Sequence, residues 1–234
     1  MSSISFNEIY TKAIALFDDP KITVAYNTNS IQFKKLMYTF LQNAIALFTN
    51  PVSIGTSLAK YAPPFGKMEI FTSDGSTTEF SIDPTIILSE EPEYSYAFVE
   101  DGKYVQGVID FQNRTVTFPD IISAGKEYAL EMYYEGEFLD ELGYNGIGST
   151  LVLEEVKGIL ARLLIKAWAE EERNFLLDIR NLMQDTDFKI TGNDRVLKSK
   201  NAWVDQLDNE VLQLQTKLAW NIRFMRGSQK IDRG

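Results

Sequence analysis

The sequence predicts an α+β protein: a helical bundle with long C-terminal helices and a small antiparallel β-sandwich or barrel inserted into it. Three observations predict this. Apolar residues recur at helical spacing before about residue 66 and after residue 148, and alternate with period two between them. Eight of the 14 glycines lie between Lys67 and Gly148, where turns are needed. No proline follows Pro119, so the C-terminal part is free to form long helices. The division that follows is a helical domain from residues 1–66 and 149–226, an inserted β module at 67–148, and a flexible basic tail at 227–234.

The first helix is announced by Ser5-Phe6-Asn7-Glu8, which has capping-box spacing. Ile9, Ala13, Leu16 and Phe17 then mark one face, and Asp18-Asp19-Pro20 stops the helix. A second helix starts near Ser30. Its predicted apolar face is Phe33, Leu36, Phe40, Leu41, Ala44, Leu47 and Phe48, and Asn50-Pro51 ends it. Val52 to Gly66, with Gly55, Pro63, Pro64 and Gly66, reads as a long connection.

Strand patterns begin at Lys67. Ile70 and Phe71 precede a turn at Ser73-Asp74-Gly75-Ser76, and Thr78, Phe80 and Ile82 alternate after it. Tyr94, Tyr96 and Phe98 alternate into Asp101-Gly102, a strong hairpin signal, and Tyr104 and Val105 resume. Gln112-Asn113 is a turn leading to Thr115-Val116-Thr117-Phe118-Pro119. The Asn113-Arg114-Thr115 sequon is read as part of that turn. In the last strand Tyr128, Leu130, Met132 and Tyr134 alternate against Glu127, Glu131 and Glu135, giving one apolar and one acidic face.

After Gly148 the period returns to 3.6. Ser149 or Thr150 caps a helix to about Met183, with Leu153, Val156, Leu160, Leu163, Leu164, Ala167, Trp168, Phe175, Ile179 and Leu182 inward. Asp185 to Asn193 is a polar break, and Asp194 opens a last helix. There Trp203, Leu207, Val211, Leu214, Leu218, Ile222 and Met225 form a near-heptad seam for helix packing or assembly. Gly227-Ser228 is expected to break this helix and release the tail.

Charge and composition restrict the chemistry. The formal net charge is −10. Residues 67–148 hold four basic and 17 acidic side chains, net −13, so the rest of the chain is net positive by three. Such a module repels phosphate and should not grip duplex DNA. The chain has no cysteine and no histidine, which removes disulfides, thiolate zinc sites and histidine-dependent nucleophilic catalysis. No secretory signal or membrane-length apolar run is visible, so a soluble chain made in a reducing cytoplasm is expected.

Residues that could carry chemistry have plainer explanations. Glu90, Glu91 and Glu93 sit in a loop rather than across a sugar-sized gap. Glu170-Glu171-Glu172 lies within a helix as an exposed face. Asp18-Asp19 and Asp185 with Asp187 lack the ligand spacing of a calcium loop. Gly143, Gly146, Gly148 and Ser149 have no lysine where a phosphate loop needs one. Tyr133-Tyr134 reads as sheet packing rather than a sugar platform. The basic tail stays open between a frayed terminus, a phosphate contact and docking on an acidic partner.

The order Asp74-Gly75-Ser76-Thr77-Thr78-Glu79-Phe80, Val99-Glu100-Asp101-Gly102, Thr115-Val116-Thr117-Phe118-Pro119, Ala124-Gly125 and Tyr133-Tyr134 resembles the small β-sandwich module that recurs in tailed-bacteriophage structural proteins. Set among helices, it is similar to the head-to-tail connector family, the neck or adaptor proteins. The resemblance implies a virion component made in the host cytoplasm and placed in the neck. It implies a homo-oligomeric ring, commonly of twelve copies, between portal protein and tail or lower neck proteins. Genomic DNA passes through without specific binding, and no membrane, cofactor, metal or catalytic residue is implied. C-terminal segments of that family dock on the portal, which points to Arg223, Arg226, Lys230 and Arg233. The acidic module then faces either the outside of the neck or its channel. Two other readings stand beside this one: a baseplate or tail-fibre attachment protein, and a carbohydrate-acting enzyme with a β accessory domain. Fibres usually carry repeats, and none is found here; an enzyme needs a spaced catalytic constellation, also absent.

Overall fold

The computed structural model describes residues 4–17, 22, 24, 26, 30–91, 93–100, 103–118, 124–138, 149–184 and 191–231. It is an α+β structure with three antiparallel sheets among the described residues. The chain opens with β1 (Ile4–Ser5) and α1 (Phe6–Leu16), followed by α2 (Ser30–Leu47) and α3 (Val52–Leu58). Then come β2 (Tyr61–Ala62), β3 (Phe65–Thr72), β4 (Glu79–Ser81), β5 (Tyr94–Glu100), β6 (Lys103–Val105), β7 (Val108–Asp110), β8 (Thr115–Thr117), β9 (Glu127–Tyr134) and β10 (Glu137–Phe138). Two long helices close it, α4 (Ser149–Gln184) and α5 (Thr191–Ile231).

The capping box at Ser5 forms as expected. Ser5 Oγ accepts from the Glu8 amide at 3.2 Å, and Glu8 Oε2 accepts from the Ser5 amide at 3.1 Å. Phe6, Ile9, Tyr10 and Ala13 are the buried face of α1, while Leu16 is exposed. On α2 the buried face is Phe33, Lys34, Met37, Phe40, Leu41 and Ala44, and Leu36 and Leu47 turn outward. The 3.6 period therefore holds, but the stripe is rotated from the predicted one. The reason is that α2 packs on β5 as well as on α4, with Lys34 turned to Ser95 of β5.

The segment expected to be a long connection is structured. It contains α3, whose Ile54 and Leu58 join the helical core, then β2 and the start of β3. β10 lies between β1 and β2, with Phe138 opposite both Ile4 and Tyr61. The strands entering and leaving the module are thus pinned side by side to the N-terminal strand. Gly136 makes the last bend before β10. Its φ is 87°, its carbonyl accepts from the Phe6 amide at 3.1 Å, and a Cβ there would lie 2.7 Å from the Ala62 carbonyl oxygen.

The module itself has a four-stranded sheet, β3-β9-β5-β6, and a three-stranded one, β4-β8-β7. Phe71, Phe98, Tyr128, Leu130 and Met132 from the first meet Ile82, Ile86, Val116 and Phe118 from the second side in one apolar core. Phe118 is its hub, with ring centroids 4.4 Å from Tyr128 and 5.5 Å from Phe98. β5 and β6 pair through Glu100 and Lys103, which leaves two residues for the hairpin; Asp101-Gly102 lies outside the described residues. Asn113 is in the turn before β8, its amide donating to Asp110 Oδ1 at 2.9 Å.

The helical core is a separate cluster. Val156, Leu160, Leu163 and Leu164 of α4 meet Leu207, Val211, Leu218 and Ile222 of α5, with α1 and α2 on the other side of α4. α5 starts at Thr191, three residues earlier than the expected Asp194, and runs through Gly227-Ser228 to Ile231. The expected helix break at that dipeptide does not occur. Glycine and serine cost a helix only about 1 kcal/mol or less each, too little to end a helix this long. No described helix is long and apolar enough to cross a membrane.

Candidate assembly site

The predicted seam on α5 is largely where the spacing put it, with one substitution of register. Leu207, Val211, Leu218 and Ile222 are buried against α4. Trp203 is half-buried, with its ring edge on Trp168 at 6.0 Å, and the Lys200 ammonium sits 5.0 Å and 5.2 Å from the two ring centres. Leu214 is only half-buried and lines a cleft of about 220 Å³ with Lys12, Glu154, Gly158, Arg162 and Lys217. The buried neighbour of Leu214 is Gln215, 3% exposed.

Gln215 was hidden from periodicity because it is polar, yet it locks two helices together. Its Oε1 accepts from the Asn50 amide at 3.0 Å and from Thr49 Oγ1 at 3.4 Å. Its Nε2 donates to the Leu47 carbonyl at 3.4 Å. One side chain of α5 therefore satisfies backbone groups left open at the end of α2. N-terminal to it along α5 the seam is edged by ion pairs: Lys166 with Asp208 at 2.5 Å, Arg162 with Glu210 at 3.4 Å, and Lys200 with Glu172. Asn221 donates to Glu155 at 3.0 Å and ties α5 to the start of α4.

The predicted docking cations are placed differently. Arg223 is exposed on α5. Arg226 and Lys230 lie on helical backbone, with their side chains outside the described residues, as is Arg233. The same part of α5 shows a row the sequence reading passed over. Leu212, Trp220 and Phe224 are 64%, 66% and 78% exposed, and fall with Thr216 on every fourth residue.

The second missed feature joins the bundle to the module. Lys34 and Glu135 are both buried, 4% and 0% exposed, and form an ion pair; Lys34 also donates to Ser95 Oγ at 2.8 Å. Beside them Lys35 pairs with Glu131 at 2.5 Å and stands 5.7 Å from the Tyr133 ring centre. Glu135 thus leaves the acidic face predicted for β9, and Tyr133 is buried instead of Tyr134. Burial lifts the Glu135 carboxyl above the usual range, while Lys34 and Ser95 pull the other way. Burial also raises the Tyr10 and Tyr133 phenols, with the Glu135 charge adding to both.

The other candidates stay ordinary. Glu90 and Glu91 are exposed, and the Glu170–Glu172 run pairs with Lys166 and Lys200. Among the described residues no acidic group is arranged to hold a metal ion. Asp18-Asp19, Asp185, Asp187, Gly143, Gly146 and Gly148 lie outside the described residues. Comparison with protein-family models, with curated proteins and with solved structures finds no match to this chain.

Proposed function

We propose that this chain is a structural virion protein that forms a ring in the head-to-tail connector of a tailed bacteriophage. In this reading it joins the portal to the tail and lets DNA pass without gripping it. The observation that carries the reading is an acidic β-sandwich, inserted by adjacent strands into a bundle of long helices, whose sequence motifs resemble those of the phage module. The module's net charge of −13 suits a part that lies near DNA or other anions without binding them.

The portal contact belongs to the end of α5 and the residues beyond it, where Arg226, Lys230 and Arg233 follow Arg223. Because the helix continues to Ile231, the docking element would include the end of α5 as well as the residues after it. A single weak contact of this kind, repeated on many copies of a ring, sums to strong attachment.

Electron microscopy of the purified full chain tests the reading. A closed ring with a central opening is expected. A trimer would favour fibre or baseplate attachment, and a monomer at all concentrations would overturn the ring. Removing residues 227–234 should leave a folded protein that joins capsids poorly; capsids that keep their DNA and attach tails normally with it would remove the portal contact from the proposal.

A further inference from the structure

A ring built of identical copies needs two different, complementary faces on each copy. The molecule carries two exposed apolar faces of opposite charge, one on α5 and one on the sheet. We propose that the Leu212–Trp220–Phe224 row of α5 docks on the outer face of the four-stranded sheet of a second copy, around Met68 and Ile70. This rests on the ring reading and supplies its interface.

The sheet face is built by register. Ile70 lies opposite Ala129, which lies opposite Val99; Met68 lies opposite Glu131, which lies opposite Ala97. All six side chains point away from the module's core, because their strand neighbours Phe71, Leu130, Met132 and Phe98 fill it. Met68 and Ile70 are 61% and 55% exposed. A sheet normally covers each apolar face with another layer. Among the described residues α2 covers one end, where Lys34 meets Ser95 and Lys35 meets Tyr133. From Met68 to Thr72 the face is open for about 14 Å along the strand, enough for one further helix of about 10–12 Å diameter beside α2.

The α5 row has the matching properties. An every-fourth-residue row is the ridge that helices use for packing, and this one presents two large rings. Trp and Phe at the centre of a patch are the side chains that anchor interfaces. The row is on the side of α5 away from Leu218 and Ile222, which face α4. Charge selects the partner. Residues 211–225 hold no acid, and of their two cations Arg223 is exposed while Lys217 lies 3.9 Å from Glu155 of the same copy. The sheet face holds Glu127, exposed opposite Thr72, beside Glu131, which pairs with Lys35 of the same copy, within a module of net −13. Both faces stay more than half exposed in one copy, so they do not cover each other within the chain.

Two full-length variants test the contact: Trp220→Asp with Phe224→Asp, which spoils the helix face, and Ile70→Lys, which spoils the sheet face. All three positions are exposed, and circular dichroism of each variant should match the parent. In sedimentation velocity each variant alone should associate roughly 30-fold more weakly than the parent, the loss expected of an interface anchor. Mixed, the two should form a one-to-one dimer that grows no further, since each supplies one intact face. Parent-sized assemblies from either variant, or no dimer in the mixture, would overturn the inference while leaving a ring closed elsewhere. Open chains of the parent that the variants abolish would uphold the contact and overturn the closed ring. Binding of the parent to duplex DNA or anionic vesicles, lost in the helix-face variant while self-association persists, would also overturn it.

Discussion

The α4–α5 seam and the contact between α2 and the sheet both close a face of the molecule, and they do so with opposite chemistry. The seam is almost wholly apolar: Leu207, Val211, Leu218 and Ile222 against Leu160, Leu163 and Leu164, with Gln215 as its one buried polar side chain among the described residues. The contact with the sheet is made by Lys34 and Lys35 reaching Glu135, Ser95, Glu131 and Tyr133. Apolar packing tolerates volume-conserving exchanges, since it demands no particular pairing of groups. A buried ion pair adds little net stability, because two charges are taken from water, but it penalises every arrangement in which one partner is missing. The seam accounts for stability, and the polar contact fixes how the module is held on the bundle.

The largest expected effect comes from breaking the polar contact on one side only. Glu135→Gln leaves the Lys34 ammonium buried without its counter-charge and should cost about 3–5 kcal/mol. The double variant Lys34→Met with Glu135→Leu removes both charges and should unfold within about 1 kcal/mol of the parent, or later. Urea unfolding of the three proteins checks this. If the double variant fell as far as the single one, the pair would be a source of stability and the contrast with the seam would fail.

Leu218→Ala, at the fully buried middle of the seam, should cost about 3 kcal/mol, since it leaves a cavity against α4. Leu214→Asp, four residues earlier, should cost clearly less, because that side chain lines an open cleft and its charge can stay in water. Equal losses at the two positions would mean that the buried row runs through Leu214 after all.

This pair of sites also shows what the sequence could disclose. The helical seam was legible because its signal is local: apolar residues three and four apart on one chain segment. The same held for the capping box at Ser5 and for the alternation of β9. Gln215 was not legible, since a buried glutamine looks like a surface residue until Leu47 and Asn50 are brought beside it. Lys34 and Glu135 are 101 residues apart, and each alone reads as a solvated charge. α3 was concealed by Gly55 and by the prolines after it, although Ile54 and Leu58 have helical spacing. The candidate site divides in the same way: the packing residues were readable, and the row of Leu212, Trp220 and Phe224 had no local signal that it would be exposed.

Gln215→Ala should cost about 1–2 kcal/mol, less than Leu218→Ala. It removes the acceptor of the Asn50 amide and the donor to the Leu47 carbonyl, and the backbone ends of α2 can partly recover by meeting water. Amide exchange should report the change locally, with faster exchange at Asn50 than at Leu41. Uniform acceleration across α2 would mean that the glutamine holds the whole helix rather than its end.

The smallest effect separates the two chemistries by pH, because carboxylates titrate and the leucine seam does not. In the module Asp74 caps its own turn: Oδ1 accepts from the Ser76 amide at 2.8 Å and from the Thr77 amide at 2.9 Å, which holds the carboxyl below its ordinary range. Asp110 is lowered in the same way by Asn113. A group lowered in the folded state binds protons more readily when unfolded. Its stabilisation is therefore complete above the unfolded value, near pH 4, and disappears as the pH falls through the folded value. Glu135 has the opposite sign: raised on folding, it makes the fold less stable as the pH climbs from its ordinary value through the raised one. Asp74→Asn should unfold at lower urea than the parent at pH 7, and the two midpoints should converge as the pH is lowered below 4. A gap that stays constant with pH would place the loss in the geometry of the asparagine turn, not in the carboxylate charge.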